Sequence, residues 1–293
     1  AVEGLNTVQV RQTDVAGNLS GTTTYSFTLD TTTSAPGVGL SSDTGSSTTD
    51  KITKVGTLNV TGVETGAKVE YSTDNGTTWN TTFSAAEGLN TVQVRQTDVA
   101  GNVSGATTYS FTLDTTAAAA PGVSLLSDTG SSGTDKVTNV GTLNVTGVES
   151  GAKVEYSTDN GATWKTTFSA VEGLNTVQVR QTDVAGNVSS GSTFTFTLDT
   201  TVAQAIVSLS NDSGSSDGIT NDGTVNVAGL ESGATWEYST NNGVNWTTGT
   251  GSSFAVSGDG VRTVLVRQTD IAGNVSTSSL SFTLDTTVGQ SIL

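Results

Sequence analysis

Thr176-Val177-Gln178-Val179-Arg180-Gln181-Thr182-Asp183-Val184-Ala185-Gly186-Asn187 reveals the fold of this chain more directly than any other segment. Its first half alternates apolar and polar residues, so Val177 and Val179 point to one face of an extended strand. Its second half, Asp183 to Asn187, is turn chemistry: Asp and Asn bond their own backbone, and Gly186 admits a left-handed bend. Arg180, next after the inward Val179, faces out.

The octapeptide Arg180 to Asn187 recurs from Arg11 to Asn18 and from Arg95 to Asn102, and with Ile for Val from Arg267 to Asn274. Its aspartates, Asp14, Asp98, Asp183 and Asp270, lie 84, 85 and 87 residues apart. That period is one small domain per copy. The chain therefore divides into the C-terminal half of a unit at 1–30, full units at 31–114, 115–199 and 200–285, and residues 286–293 as the start of the next linker or strand.

In the unit 115–199, apolar pairs mark the strands. Val123 and Leu125 lie on the first, Leu143 and Val145 on the second, Val154 and Tyr156 on the third. Asn160-Gly161 makes a tight hairpin into Trp164, because both positions tolerate positive φ. A short strand at Phe168 follows, then Thr176–Arg180, then Phe194, Phe196 and Leu198. Seven short strands separated by Gly, Asn and Asp turns predict an all-β chain of tandem immunoglobulin-like sandwiches. The third unit keeps the pattern with edits such as Trp236 for Val154 and Asn241 for Asp159. Trp79, Trp164 and Trp246 are expected to cap the core.

Composition narrows the function. Twenty-seven carboxylates against 11 Lys and Arg give a formal net charge of -16, which repels nucleic acid and acidic membranes. The same self-repulsion would be relieved by a bound hard cation, with Ca2+ the first candidate. The absence of Cys and His removes disulfides, thiolate sites and the commonest zinc ligand and general base. No apolar run approaches the roughly 20 residues of a membrane span.

An odd strand count carries the chain in at one end of each sandwich and out at the other, so the units are expected to stack end to end as a rod. Loops after strands one, three and five then face the downstream neighbour, and loops after two, four and six the upstream one. At the junction of 31–114 with 115–199 this brings Asp43, Asp50, Glu87 and Asp114 toward Glu149, Asp183 and Asn187. The junction with the half-unit would use Asp30, Glu64, Asp98 and Asn102. The third would use Asp128, Asp135, Glu172, Asp199, Glu231, Asp270 and Asn274. Six to eight oxygens suit Ca2+, and such sets supply them with loop carbonyls and water. Asp74 and Asp159 belong to hairpin turns and stand apart from these sets.

Three motifs at fixed spacing, Tyr156-Ser157-Thr158-Asp159-Asn160-Gly161-Ala162-Thr163-Trp164, Val179 to Asn187 and Leu198-Asp199-Thr200-Thr201, make the unit resemble the bacterial immunoglobulin-like repeats of giant Bap-like, type I-secreted RTX adhesins. The resemblance implies an extracellular stalk at the bacterial surface, stiffened by Ca2+ at or near its junctions. It also implies that a separate tip performs the sticking. The expected partners are neighbouring repeats of the same chain. A self-associating or glycan-binding module is the alternative, with other copies of the chain as partner. An enzyme is not expected, because the acids lie at domain ends and no insertion forms a cleft.

Overall fold

Strands, turns and loops make up the whole computed structural model, which describes residues 1–289 and has no helix among them. Residues 290–293, assigned above to a following linker or strand, lie outside the described residues. The chain gathers into two compact units. One holds residues 1–118 with the second-repeat loops 149–153 and 182–189. The other holds the rest of the second repeat and the third.

In the first unit, Gly4–Val10 and Thr23–Leu29 form an antiparallel hairpin with Val8 opposite Tyr25. The first repeat has two sheets. Gly37–Leu40 pairs antiparallel with Leu58–Thr61. Ile52–Thr53, Thr107–Leu113, Gly88–Thr97 and Lys68–Ser72 follow one another across the second sheet. Alternation in Gly88–Thr97 does what the sequence demands: Asn90, Val92, Val94 and Gln96 are buried while Leu89, Thr91 and Arg95 are not. The buried Asn90 side chain fixes the start of the strand, donating to the carbonyls of Ala86 and Gly88 and accepting from the Ala86 amide.

The second repeat has the same strand orders, with Gly122–Leu125 beside Leu143–Thr146, and Val137–Thr138, Ser192–Leu198, Gly173–Thr182 and Lys153–Ser157 in the other sheet. The third repeat is the most complete. Ile206–Leu209, Thr224–Ala228 and Ser253–Ala255 make a three-stranded sheet. Ile219–Thr220, Val275–Leu284, Gly260–Thr269, Thr235–Ser239 and Thr247–Thr248 make a five-stranded one. Both contribute to one core of Val225, Val227, Trp236, Phe254, Val264, Val266, Phe282 and Leu284.

Three details depart from the sequence reading. The strands expected at Trp164 and Phe168 shrink in the first two repeats to the single bridges Tyr71↔Asn80 and Tyr156↔Lys165. A two-residue strand that no alternation announced lies inside the first long loop and pairs parallel with the last strand of its repeat. The tryptophans do not cap the core: Trp79, Trp164 and Trp246 stack under the outward guanidinium groups of Arg95, Arg180 and Arg267 at 4.0, 3.9 and 4.2 Å. Each arginine also pairs with a glutamate on the neighbouring strand, Glu70, Glu155 or Glu237. A cation held over an indole face and beside a carboxylate ties the outer surface of the sheet together.

Candidate metal centre

Each junction starts from the loop after the long inward strand. Period two places Val92, Val94, Gln96 and Asp98 on one face, so the same alternation that builds the core delivers an acid to the end of the sheet. Asp98 is 7% exposed. The Asn102 amide and side chain donate to its two oxygens at 2.8 and 2.8 Å. These bonds hold the Asp98 carboxyl below the usual carboxylate range. Asn102 Nδ2 also donates to the carbonyl of Asp30 at 3.0 Å, joining the loop to the segment that enters the repeat.

Gln96 positions the third acid. It is fully buried; its Nε2 donates to the carbonyls of Ser34 and Gly62, and its Oε1 accepts the Glu64 amide at 2.8 Å. The turn bearing Glu64 is thereby pinned beside Asp98. Side-chain oxygens of Asp30, Glu64 and Asp98 all lie within 4.8 Å of one another.

The second unit repeats the arrangement. Gln268 donates to the Ala203 carbonyl and accepts from the Glu231 amide, and Asn274 Nδ2 donates to Asp199 O at 2.7 Å and Asp270 Oδ2 at 2.7 Å. Asp199, Glu231 and Asp270 again bring oxygens within 4.8 Å. Burial, followed by the nearby Asp270, Glu172 and Glu231 charges, pushes the Asp199 carboxyl above its ordinary 3.8. Between these two sets, Asn187 Nδ2 donates to Asp114 O at 2.8 Å and Asp183 Oδ2 at 2.9 Å, and Glu149 heads the turn closed by Ala152 N.

Two oxygens bound to one calcium at about 2.4 Å each can be no more than about 4.8 Å apart, so the two clustered triads fit a single cation of that size. The donors are oxygens only, which suits Ca2+ and not a soft metal. Without a positive charge between them the carboxylates repel, and this repulsion adds to burial in raising Asp199.

The other acids go elsewhere. Glu87 accepts the Thr115 amide and hydroxyl, and Glu172 the same groups of Thr200. Asp50 and Asp135 accept the amides of Ile52 and Val137 two residues on, as turn caps. Asp43 and Asp128 each take one loop amide, from Lys51 and Lys136, and leave Oδ1 buried without a hydrogen-bond partner. The first loop does reach the sixth loop of the next repeat, but through Thr44, Gly45 and Ser46 and not through these carboxylates. Asp74 and Asp159 close their hairpins as expected, each accepting from a serine two residues before and a threonine four residues after.

Gln96, Gln181 and Gln268 were not anticipated as positioning residues. The signal was available: the alternation that turns Val177 and Val179 inward turns Gln181 inward too, and a buried amide must find partners.

No curated protein matches the chain. Residues 70–81, around the Asp74 hairpin, match the BNR/Asp-box repeat. Among solved structures, the chain is similar to a tetra-tandem repeat from the extending region of a large adhesion protein, with 20% identity over 98% of this chain and 83% of that one and a TM-score of 0.29. It is also similar to a Ca2+-stabilized adhesin that helps an Antarctic bacterium bind ice, with 22% identity, coverage of 96% and 81%, and a TM-score of 0.35. A 1.5-MDa bacterial ice-binding adhesin is similar at 20% identity, with coverage of 86% and 98% and a TM-score of 0.30. Residues 116–200, most of the second repeat, match the family model of the bacterial Ig-like domain, and the flanking repeats carry the same motifs at a spacing of 84 to 87 residues.

Proposed function

We propose that this chain is part of the extracellular stalk of a large bacterial surface adhesin, in which Ca2+ between consecutive repeats restrains their movement and so holds an adhesive tip away from the cell. Adhesion or biofilm formation would follow from that reach. The observation that carries the reading is the recurrence of one triad, Asp30 with Glu64 and Asp98, then Asp199 with Glu231 and Asp270, each drawn from three separate chain segments. A carboxylate placed there once is a surface acid; placed twice with the same Gln and Asn supports, it is a built arrangement. No helix is long and apolar enough to cross a membrane among the described residues.

Ion binding to the folded state alone stabilises it, by about 2.7 kcal/mol at a hundredfold excess over Kd. Calorimetric titration with Ca2+ and scattering with Ca2+ and with chelator test the proposal together. Heat of binding that disappears in Asp98→Asn and Asp270→Asn, and greater flexibility in chelator, are expected. No heat, an unchanged melting temperature and an unchanged maximum dimension would sink it.

One observation favours a self-associating module. In the first two repeats Leu58–Thr61 and Leu143–Thr146 are paired along one edge only. An open edge is a template for another strand. Sedimentation that depends on protein concentration would support this reading, and a strict monomer would remove it.

A further inference from the structure

The first loop of one repeat and the sixth loop of the next meet without any acid side chain between them. In the first unit, Ser46 N donates to Val184 O at 3.1 Å, Thr44 Oγ1 to Ala185 O at 2.7 Å, and Lys54 Nζ to Gly186 O at 2.7 Å. The second unit holds the same pair of loops: Ser131 N donates to Ile271 O at 3.3 Å and Thr129 Oγ1 to Ala272 O at 2.7 Å. The three carbonyls of the Val-Ala-Gly turn point outward in succession. In both units the facing loop takes the first two with one amide and one hydroxyl, and in the first unit Lys54 takes the third.

Glycine makes the approach possible. Gly45 has φ +101 and Gly130 φ +93, and a Cβ on either would sit 1.9 Å from the carbonyl oxygen of Val184 or Ile271. Across the contact, a Cβ on Gly186 or Gly273 would come within 3.0 Å of Gly45 Cα or Gly130 Cα. The first repeat supplies an internal control. Among the described residues no such loop faces its Val99-Ala100-Gly101 turn, and a Cβ on Gly101 would meet nothing within 4 Å. Ala100 is exposed there, whereas Ala185 and Ala272 are each 0% exposed.

We propose that this loop pair is a docking surface independent of metal, by which a repeat recognises the Asp-(Val/Ile)-Ala-Gly-Asn loop of another copy of the same repeat. Every contact in it is a hydrogen bond between neutral groups or from the Lys54 ammonium, so removal of a cation changes none of the partners. At the junction of the second and third repeats, the acidic triad and the loop pair are then two separate fastenings. Chelation releases the first and leaves the second. This goes beyond the calcium reading and stands if that reading fails, because no ligand of the triad takes part.

Hydrogen exchange of the 293-residue chain at Ser46 and Ser131, in Ca2+ and in chelator, tests it. Protection at both amides is expected to persist in chelator within about threefold. Gly45→Ala should speed exchange at Ser46 by about tenfold or more and leave Ser131 unchanged, and Gly186→Ala, from the opposite side, should do the same. Protection of the Val92, Val177 and Val264 amides reports that the repeats themselves remain folded. Loss of protection at Ser46 and Ser131 in chelator while those core amides stay protected would overturn the proposal. So would unchanged Ser46 exchange in both glycine variants. The calcium reading is judged separately, by the heat of Ca2+ binding.

Discussion

The second and third repeats share their motifs but not the completeness of their sandwiches. From Trp164 to Gly173 is nine positions; from Trp246 to Gly260 is fourteen. The longer connection lets Ser253–Ala255 lie beside Thr224–Ala228, with Phe254 opposite Val225. Val225 and Val227 are then 0% and 3% exposed, while their counterparts Leu143 and Val145 remain half-buried. In the second repeat Phe168 still packs on Tyr156 and Phe196, but its segment stays off the sheet edge. A groove of about 530 Å³ opens there between Leu143, Tyr156, Phe168, Ala170 and Leu198. The first repeat has the equivalent groove, about 490 Å³, at Leu58, Tyr71, Phe83 and Leu113. The closed sheet goes with the longer connection and with Trp236, which stands where the second repeat has Val154 and packs on Phe254 of the closing strand.

The greatest contrast between the two repeats should appear at Trp236. It is 5% exposed and packs on Tyr238 and Phe254, so Trp236→Ala should cost the third repeat about 3–5 kcal/mol in denaturant unfolding. The equivalent Val154 is only half-buried, and Val154→Ala should cost about 1–2 kcal/mol. Equal losses would mean that the two cores are equally consolidated. Grafting residues 247–259 in place of 165–172 should supply the missing strand, raise the stability of the second repeat by about 1–3 kcal/mol, and slow amide exchange along Leu143–Thr146. A graft that leaves exchange there unaltered would show that something other than connection length keeps the edge open.

The third repeat's junction carries a smaller, pH-dependent contribution. The Asp199 carboxyl is raised in the folded chain, so the folded state holds its proton more tightly than the unfolded state. Its contribution should therefore increase as pH falls from neutral toward the region just above 3.8, and saturating Ca2+ should cancel the gain. Thermal melts from pH 7 downward, with and without Ca2+, check this; Asp199→Asn should flatten the apo curve.

The hairpins of the two repeats should differ least. Hydrogen bonds from Thr163, then from Ser157, hold the Asp159 carboxyl down at about 2, whereas the third repeat has Asn241 in its place. A depressed carboxyl stabilises above its unfolded value of 3.8 and loses that contribution as pH falls through about 2. Asp159→Asn should thus lower the melting temperature slightly at pH 6, with the difference shrinking as pH falls through about 2, where the Asp159 carboxyl takes up its proton.

Much of the site was legible because period two does not stop at the core. Val177 and Val179 turn inward, and the same register carries Gln181 and Asp183 to the sandwich end. The junction triads drew one residue from each of three motifs that the repeat displays openly: Leu-Asp-Thr-Thr, Gly-Val-Glu or Gly-Leu-Glu, and Thr-Asp-Val-Ala-Gly-Asn. The acids of the first and fifth loops were less legible. Asp43, Asp50 and Glu87 lie at the expected end of the sandwich, but proximity to an end does not say which backbone amide a carboxylate will take. Asp50 meets the Ile52 amide two residues away, and Glu87 meets Thr115, the residue at which the chain passes into the next repeat. Short-range partners win where they exist.

Sequence alone was enough to establish the repeat, its period, the all-β character and the inward face of each long strand, because alternation and turn chemistry act over a few residues. Three features emerged only when the strands were brought together in space. The tryptophans went to the outer face, where an arginine and a glutamate from adjacent strands complete the stack. The smaller sheet closed in one repeat of three, where the longer connection delivers a strand whose Phe254 packs on Trp236. Gly45 and Gly130 became points of close backbone approach to the next repeat, because a missing Cβ acquires meaning only when another backbone is brought against it.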